Sequence, residues 1–148
     1  MPTGDDARPA MLMAKPSWLI SEVSRLAHPL LAGQLAIAGS RGYHYRLLAA
    51  LAEFGPASQA SLGRHTAMDR SDVAAAVSEL AARGLAQRAL DPADRRRNVI
   101  RITPAGTAHL RRLDGLVAGV QDELLAPLSP AERRQLTGLL SRIVEHHA

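Results

Sequence analysis

Residues 55–106 read GPASQASLGRHTAMDRSDVAAAVSELAARGLAQRALDPADRRRNVIRITPAG, and the order of signals along this stretch decides the fold class. Gly55-Pro56 stops what precedes it, because Gly accepts the backbone conformation past a helix end and Pro cannot continue a helix. Ser58 is a natural N-cap and opens a short helix, SQASLGRHT. A turn through Ala67-Met68 leads to Asp69, a second N-cap, and to a longer helix over DRSDVAAAVSELAARG. The apolar stripe of that helix is Val73, Ala76, Val77 and Leu80, and Gly84 terminates it. Residues 85–90 and 99–103 then read as two short strands joined by a turn-rich linker, a hairpin with a long tip. A short helix, a tight turn, a longer helix and a hairpin make a winged helix-turn-helix, whose second helix can enter a DNA major groove.

Outward from this motif the pattern is helical. Residues 1–15 carry two prolines and no periodicity, and read as a flexible N-terminal arm. Pro16-Ser17 opens a first helix with Leu19, Val23, Leu26 and Leu30 on one face. Pro29 inside it lacks a backbone donor and predicts a kink or break near His28. The turn at Gly39-Ser40-Arg41-Gly42 precedes a second helix from about Tyr43 to Glu53, with Leu47, Leu48, Leu51 and Phe54 facing inward. With the motif's two helices as third and fourth, Thr103-Pro104 starts a fifth, its Leu110, Leu113, Val117, Val120 and Leu124 at 3-4-3-4 spacing. Pro127 ends it, and Ser129-Pro130-Ala131-Glu132 is a capping box that opens a sixth helix burying Leu136, Leu139, Leu140 and Ile143.

The fold class is therefore mainly α with one small β-hairpin. Its organisation is an arm at 1–15, a helix at 16–40, the winged helix-turn-helix at 41–103 and C-terminal helices at 104–148. Composition agrees: the 148 residues are 47% hydrophobic but only 3% aromatic, and Ala and Leu favour helix over sheet.

Charge is concentrated on the motif. The net charge is +4, and from Arg83 to Arg101 six arginines face two aspartates, a surplus of four that equals the surplus of the whole chain. Lys15 is the only lysine, so nearly all the positive charge is arginine. The chain has no cysteine, which excludes disulfides, thiolate metal sites and a cysteine nucleophile. His146-His147 are neighbours that do not converge on one ion, and His44 and His65 have no acidic pair nearby in sequence, so no metal is expected. No Gly-rich phosphate loop, nucleophile elbow or HExxH is present, so the reading is not an enzyme and has no cofactor. The short MLM block is no secretory core and no run of about 18 apolar residues occurs, which predicts a cytoplasmic protein without a membrane partner.

The quoted stretch resembles the DNA-binding core of the MarR family of bacterial transcriptional regulators. That family's wing pattern, Asp-x-Arg followed after five residues by an aliphatic residue and Thr, matches Asp94, Arg96, Ile102 and Thr103. Its RGL-then-Arg step into the first strand matches Arg83-Gly84-Leu85 and Arg88, and the resemblance extends from about residue 17 to the C-terminus. It implies interlocked N- and C-terminal dimerisation helices, the first, fifth and sixth, that pair two copies into a homodimer. It also implies a wing that reaches the minor groove, where a narrow A·T-rich groove attracts Arg. Arg96 is the candidate for insertion, Arg95 or Arg97 for phosphate, and Asp94 for orienting one guanidinium. The alternative for the three arginines is a solvated loop tip.

In the fourth helix the candidate DNA contacts are Arg70, Ser71, Asp72 and Ala75. Asp72 is open between accepting from cytosine and acting as a first-turn acid that favours the helix dipole. Where many family members carry Thr and Arg, this chain has Asp72 and Ala75, which leaves any operator sequence open. Ser58 and Gln59 are candidate phosphate contacts at a helix N-terminus.

Family members bind small aromatic or phenolic anions between the dimer helices and the winged domain. Trp18, His28, Tyr43, His44, Tyr45 and Arg46 could line such a site here; the alternative is Trp18 as a core plug and the others as surface or packing residues. The family's Leu-Thr, two residues and Gln entry into the second helix is replaced by Ser40-Arg41-Gly42-Tyr43-His44. The resulting expectation is a homodimeric repressor of a pseudo-palindromic operator in double-stranded DNA, released by a small aromatic or anionic ligand. Its alternatives are a DNA-binding protein with no effector and a protein-interaction module on the same fold.

Overall fold

The computed structural model describes residues 4–148. In chain order the elements are α1 (Ala10–Met13), α2 (Pro16–Ile37), α3 (Gly42–Phe54), α4 (Gln59–Thr66), α5 (Arg70–Ala82), β1 (Ala86–Leu90), β2 (Asn98–Ile102), α6 (Pro104–Leu124) and α7 (Pro130–His147). The six expected helices are α2 to α7. The added one, α1, is a single turn inside the segment read as an arm, whose first three residues lie outside the described ones.

The winged motif folds as its local signals dictate. Ser58 Oγ accepts from the Ser61 amide and caps α4, and Asp69 accepts from the Asp72 amide and caps α5. Between them Ala67 takes the left-handed conformation, φ 52°, which turns the chain sharply. The stripe of α5, Val73, Ala76, Val77 and Leu80, is buried as its spacing predicts. It packs in one core with Leu47, Leu48 and Leu51 of α3, Leu62 of α4, Ile100 of β2 and Leu113 of α6. Each such large aliphatic side chain contributes about 1.5–3 kcal/mol when fully buried, so these side chains position the motif more firmly than any polar contact does.

The wing is a two-stranded antiparallel hairpin with Ala86 opposite Ile102 and Leu90 opposite Asn98. Its second strand also pairs with the residue before the α4 cap: the Ala57 amide donates to Ile100 O at 3.0 Å, and the Ile100 amide donates to Ala57 O at 2.7 Å. At the wing's base the Thr103 amide donates to Leu85 O, and Thr103 Oγ1 donates to Gly84 O at 2.6 Å while accepting from the Gly106 amide at 3.0 Å. Gly106 has no room for a side chain, since a Cβ there would sit 2.0 Å from Leu85 O and 2.8 Å from Ile102 Cγ1.

The described residues divide into two compact units, His28–Val117 and the remainder, which joins the residues through Ala27 to Ala118–Ala148. In the second unit Ser129 and Glu132 form the expected capping box on α7. Arg133 donates to Leu125 O and Leu128 O and pairs with Asp122 at 2.9 Å, fixing the turn that leads into that helix. No helix among the described residues is long and apolar enough to cross a membrane.

Three expectations need correction. The break allowed for near His28 does not occur: α2 is one helix through Pro29, because one proline forfeits only its own bond to the carbonyl four residues back while the surrounding bonds persist. Phe54 does not face inward: it is 56% exposed and stacks on His65 of α4, with ring centroids 4.2 Å apart. Leu139, Leu140 and Ile143 of α7 are exposed and Leu136 is only half-buried. On α2 the face read from Leu19, Val23 and Leu26 is likewise exposed, and no burial was expected of it from the spacing alone. Both stripes have the expected helical spacing, but one copy of the chain has nothing to lay over them.

Replacing Gly106 with Ala should lower stability by roughly 2–4 kcal/mol, because the backbone at Leu85 must move to admit the methyl group. Urea unfolding would show this as a lower midpoint with an unchanged slope; an unshifted midpoint would show that the junction is looser than described.

Candidate nucleic-acid interface

Helix α5 projects from the motif with Arg70, Ser71, Ala75 and Ser78 exposed, while Asp72 and Ala74 are half-buried. Asp69 Oδ1 accepts from both the Asp72 amide at 3.0 Å and Ser71 Oγ at 2.9 Å. These two hydrogen bonds, the backbone one first, hold the Asp69 carboxyl below the usual carboxylate range. Asp72 is the first-turn acid of the helix, and its Oδ2 accepts from Tyr43 Oη at 3.2 Å. Arg70 has no ion-pair partner among the described residues. Further along, Arg88 of β1 donates to Ser78 Oγ at 3.0 Å, linking the wing to the exposed face of α5.

At the wing tip Asp94 organises the arginines. Its Oδ1 accepts from the Arg96 amide at 3.1 Å and from Arg96 Nε at 3.3 Å, and its carbonyl accepts from the Arg97 amide. The Arg96 side chain nevertheless stays 92% exposed. Arg95 and Arg97 are exposed as well, so three arginine side chains stand exposed on one turn. An exposed pair such as Asp94–Arg96 adds little stability, and its effect is to narrow the directions the guanidinium can take.

Ser58 and Gln59 are half-buried at the start of α4. Ser58 Oγ is engaged in the cap, which leaves the first amides of the helix as the donors available there. Arg64 of the same helix, not singled out from the sequence, lines an open groove of about 560 Å³ with Gln59 and Arg70. It also lines a second groove, of about 360 Å³, with Ser58, Arg97 and Asn98. Arg64 thus stands on the surface between the α5 N-terminus and the wing.

The six candidate ligand residues are not used alike. His44 is buried: its Nδ1 accepts from the Arg41 amide at 3.2 Å, and its Nε2 meets Glu79 Oε2 at 2.5 Å. Since Nδ1 is an acceptor, Nε2 carries the proton and donates to the carboxylate. Tyr43 points at α5, whereas Tyr45 points at α6, where its hydroxyl donates to Asp114 Oδ1 at 2.7 Å. Burial first and then Asp114 push the Tyr45 phenol up to about 12. Arg46 and His28 are exposed, with Arg46 lying 5.9 Å from the centroid of the Tyr43 ring. Trp18 belongs to the other unit, half-buried, and its Nε1 is buried without a hydrogen-bond partner.

Several organising contacts carry no local sequence signal. Arg41 grips Glu79 through two bonds of 2.9 and 2.7 Å. Arg83 reaches back from the end of α5 to Gly39 O at 2.7 Å, Ala38 O at 3.2 Å and Ser40 Oγ at 3.2 Å, covering the orphan carbonyls at the end of α2. Ser40 Oγ also bonds His109 Nε2 at 2.7 Å. Such pairs lie 35 to 69 residues apart in the chain, so no local pattern announces them.

Residues 40–97, the core of this arrangement, match the family model described as MarR family. A probable transcriptional regulator from Pseudomonas aeruginosa is 35% identical, with 89% of this chain and 98% of that one covered and a TM-score of 0.79. This chain belongs to the MarR family. The PcaV transcriptional regulator from Streptomyces coelicolor, solved in complex with its natural ligand, is 28% identical over the full length of both chains, with a TM-score of 0.77. The HTH-type transcriptional repressor NicR from Pseudomonas putida is 33% identical over 98 residues, covering 66% of this chain and 62% of NicR. The chain spans about three-fifths of the length of the curated relatives it matches.

In this MarR-family chain the buried imidazole has a consequence for stability. Burial pushes His44 below its ordinary value, outweighing the pull of Glu79 in the other direction, and burial lowers His109 likewise. As pH falls through about 6.5, the unfolded chain therefore takes up protons that the folded chain refuses. Stability is full above that range and declines below it, until the folded-state values are reached. The urea midpoint should accordingly drop between about pH 7 and pH 5, and His44→Gln should flatten that drop. An equal drop in both proteins would show that His44 is not the group responsible.

Proposed function

We propose that this MarR-family protein is a homodimeric transcriptional repressor that binds a pseudo-palindromic operator and is released by a small aromatic or anionic ligand. The observation that carries the reading is the wing: three exposed arginines on a turn ordered by Asp94, on a hairpin tied to the helix-turn-helix through Ala57 and Ile100. Such a tip suits a narrow, electronegative minor groove, with Arg96 inserted and Arg95 and Arg97 on phosphates. Arg70, Ser71 and Ala75 of α5 face the major groove, and the α4 amides at Ser58 and Gln59 hold backbone phosphate.

Pairing of two copies is supported by the uncovered apolar faces of α2 and α7, where Leu26 is 52% and Val144 68% exposed. Faces of this kind are costly in water and gain most from a second identical surface. A two-fold dimer then places its recognition helices in successive major grooves. The repressor reading is supported by similarity to NicR and the effector reading by similarity to PcaV, solved with its natural ligand. In this role the protein acts in the cytoplasm.

A ligand can release DNA only if it binds better to a form that does not fit the duplex. Of the residues considered for that ligand, Trp18, His28, Tyr45 and Arg46 remain candidates, while Tyr43 is held against Asp72 and His44 is engaged on both ring nitrogens.

Replacing Arg96 with Ala should weaken duplex binding several-fold and reduce the salt dependence by about one phosphate-equivalent contact. Affinity that is unchanged at every salt concentration would remove the wing from the interface. Trp18 is the sole tryptophan, so a panel of aromatic acids can be screened by its fluorescence alongside DNA release. A panel that neither quenches Trp18 nor releases DNA would remove the effector from the account.

A further inference from the structure

The two carboxylates of α5, Asp72 and Glu79, are seven residues apart, about two helical turns, and so stand on one flank of the helix. Both are taken by the start of α3. Tyr43 Oη donates to Asp72 Oδ2 at 3.2 Å, and Arg41 and His44 hold Glu79. The Tyr43 ring lies beneath two guanidinium groups, with Arg41 at 5.6 Å and Arg46 at 5.9 Å from its centroid, which steadies the phenol. On the solvent side α5 presents Ser71, Ala75 and Ser78, with Arg70 at its start. Ser71 directs its hydroxyl proton to Asp69.

We propose that Tyr43 is a specificity-determining positioning residue: by holding the Asp72 carboxylate against α3, it withdraws the first-turn acid of α5 from base reading. A free carboxylate at that place is a natural acceptor for the N4 amine of cytosine, whereas Arg70 donates to the O6 and N7 of guanine. With Asp72 held aside, that end of the helix selects through Arg70 and is indifferent to cytosine at the neighbouring position. Phenylalanine keeps the ring and its guanidinium neighbours and deletes only the hydroxyl, so Tyr43→Phe releases Asp72 with the least disturbance. The inference rests on the duplex binding proposed above.

The test compares the full chain, Tyr43→Phe, Asp72→Asn and the double variant, each binding duplexes in which every half-site position is varied through all four bases. Tyr43→Phe should keep its overall affinity and salt slope but gain a preference for cytosine at one position per half-site, on the order of tenfold. Asp72→Asn alone should leave the original preferences intact, and the double variant should lose the gained one. A merely structural role for Tyr43 would change affinity for all sequences together and would not single out one base. Identical base preferences in Tyr43→Phe and the unaltered protein, with duplex binding intact, overturn the inference and leave the parent reading standing. So does a changed preference in Asp72→Asn, which decides the matter even if Tyr43→Phe folds poorly. If the unaltered chain shows no preference among duplexes, the parent reading fails and this one falls with it.

Discussion

The close approach of Gly106 to the Leu85 carbonyl is the constraint on which the winged motif depends. The chain leaves α5 at Gly84, forms the wing and returns into α6 at Thr103, and these two crossings lie backbone to backbone. Thr103 joins them twice, through its amide and its hydroxyl, and Gly106 lets the first turn of α6 settle against them. A hairpin of five-residue strands is marginal by itself in water. Clamped at its base, and paired through Ile100 to Ala57 ahead of the α4 cap, it becomes an extension of the helix pair. The wing arginines are thereby tied to α5, as the proposed contact with two grooves requires.

A second layer of order is electrostatic and sits at the start of α3. Arg41, Tyr43 and His44 meet α5 at Asp72 and Glu79, while Arg83 returns from the far end of α5 to the end of α2. The exposed members of this network contribute modestly to stability, since water and salt screen them. Their effect is directional: they fix the rotation of α5 about its own axis, and with it which side chains face outward. The two carboxylates of α5 are thereby committed to the scaffold, and the outward face of that helix is left to Arg70 and small side chains.

Local signals made most of the fold legible in the sequence. Ser58, Asp69 and Ser129 cap the helices they were read to cap, and the spacing of Val73, Ala76, Val77 and Leu80 marked the buried stripe of α5. The hairpin followed from β-branched residues around a turn-rich linker. Burial of whole faces was less legible. The stripes of α2 and α7 have the right period, yet periodicity says only that a face is apolar and not what lies on it. Phe54 shows the same limit in one residue, apolar in type but placed past the last turn that the core can reach. In the candidate site, the Asp94–Arg96 contact could be anticipated because it spans two residues. Tyr43–Asp72 and His44–Glu79 could not, since only the folded chain brings them together. Asp72, left open between first-turn acid and base reader, is the first-turn acid of α5 and is also engaged by Tyr43, a partner that no local pattern announced.

The central claim is that two copies grip one duplex, each with α5 in a major groove and its wing beside it. A hydroxyl-radical footprint on a bound fragment tests this most directly, because it reports both symmetry and groove. Two equivalent protected regions with centres about 10 base pairs apart, each flanked by protection across the adjoining minor groove, is the predicted pattern. One unpaired region, or cleavage indistinguishable from free DNA at low salt, would contradict the account.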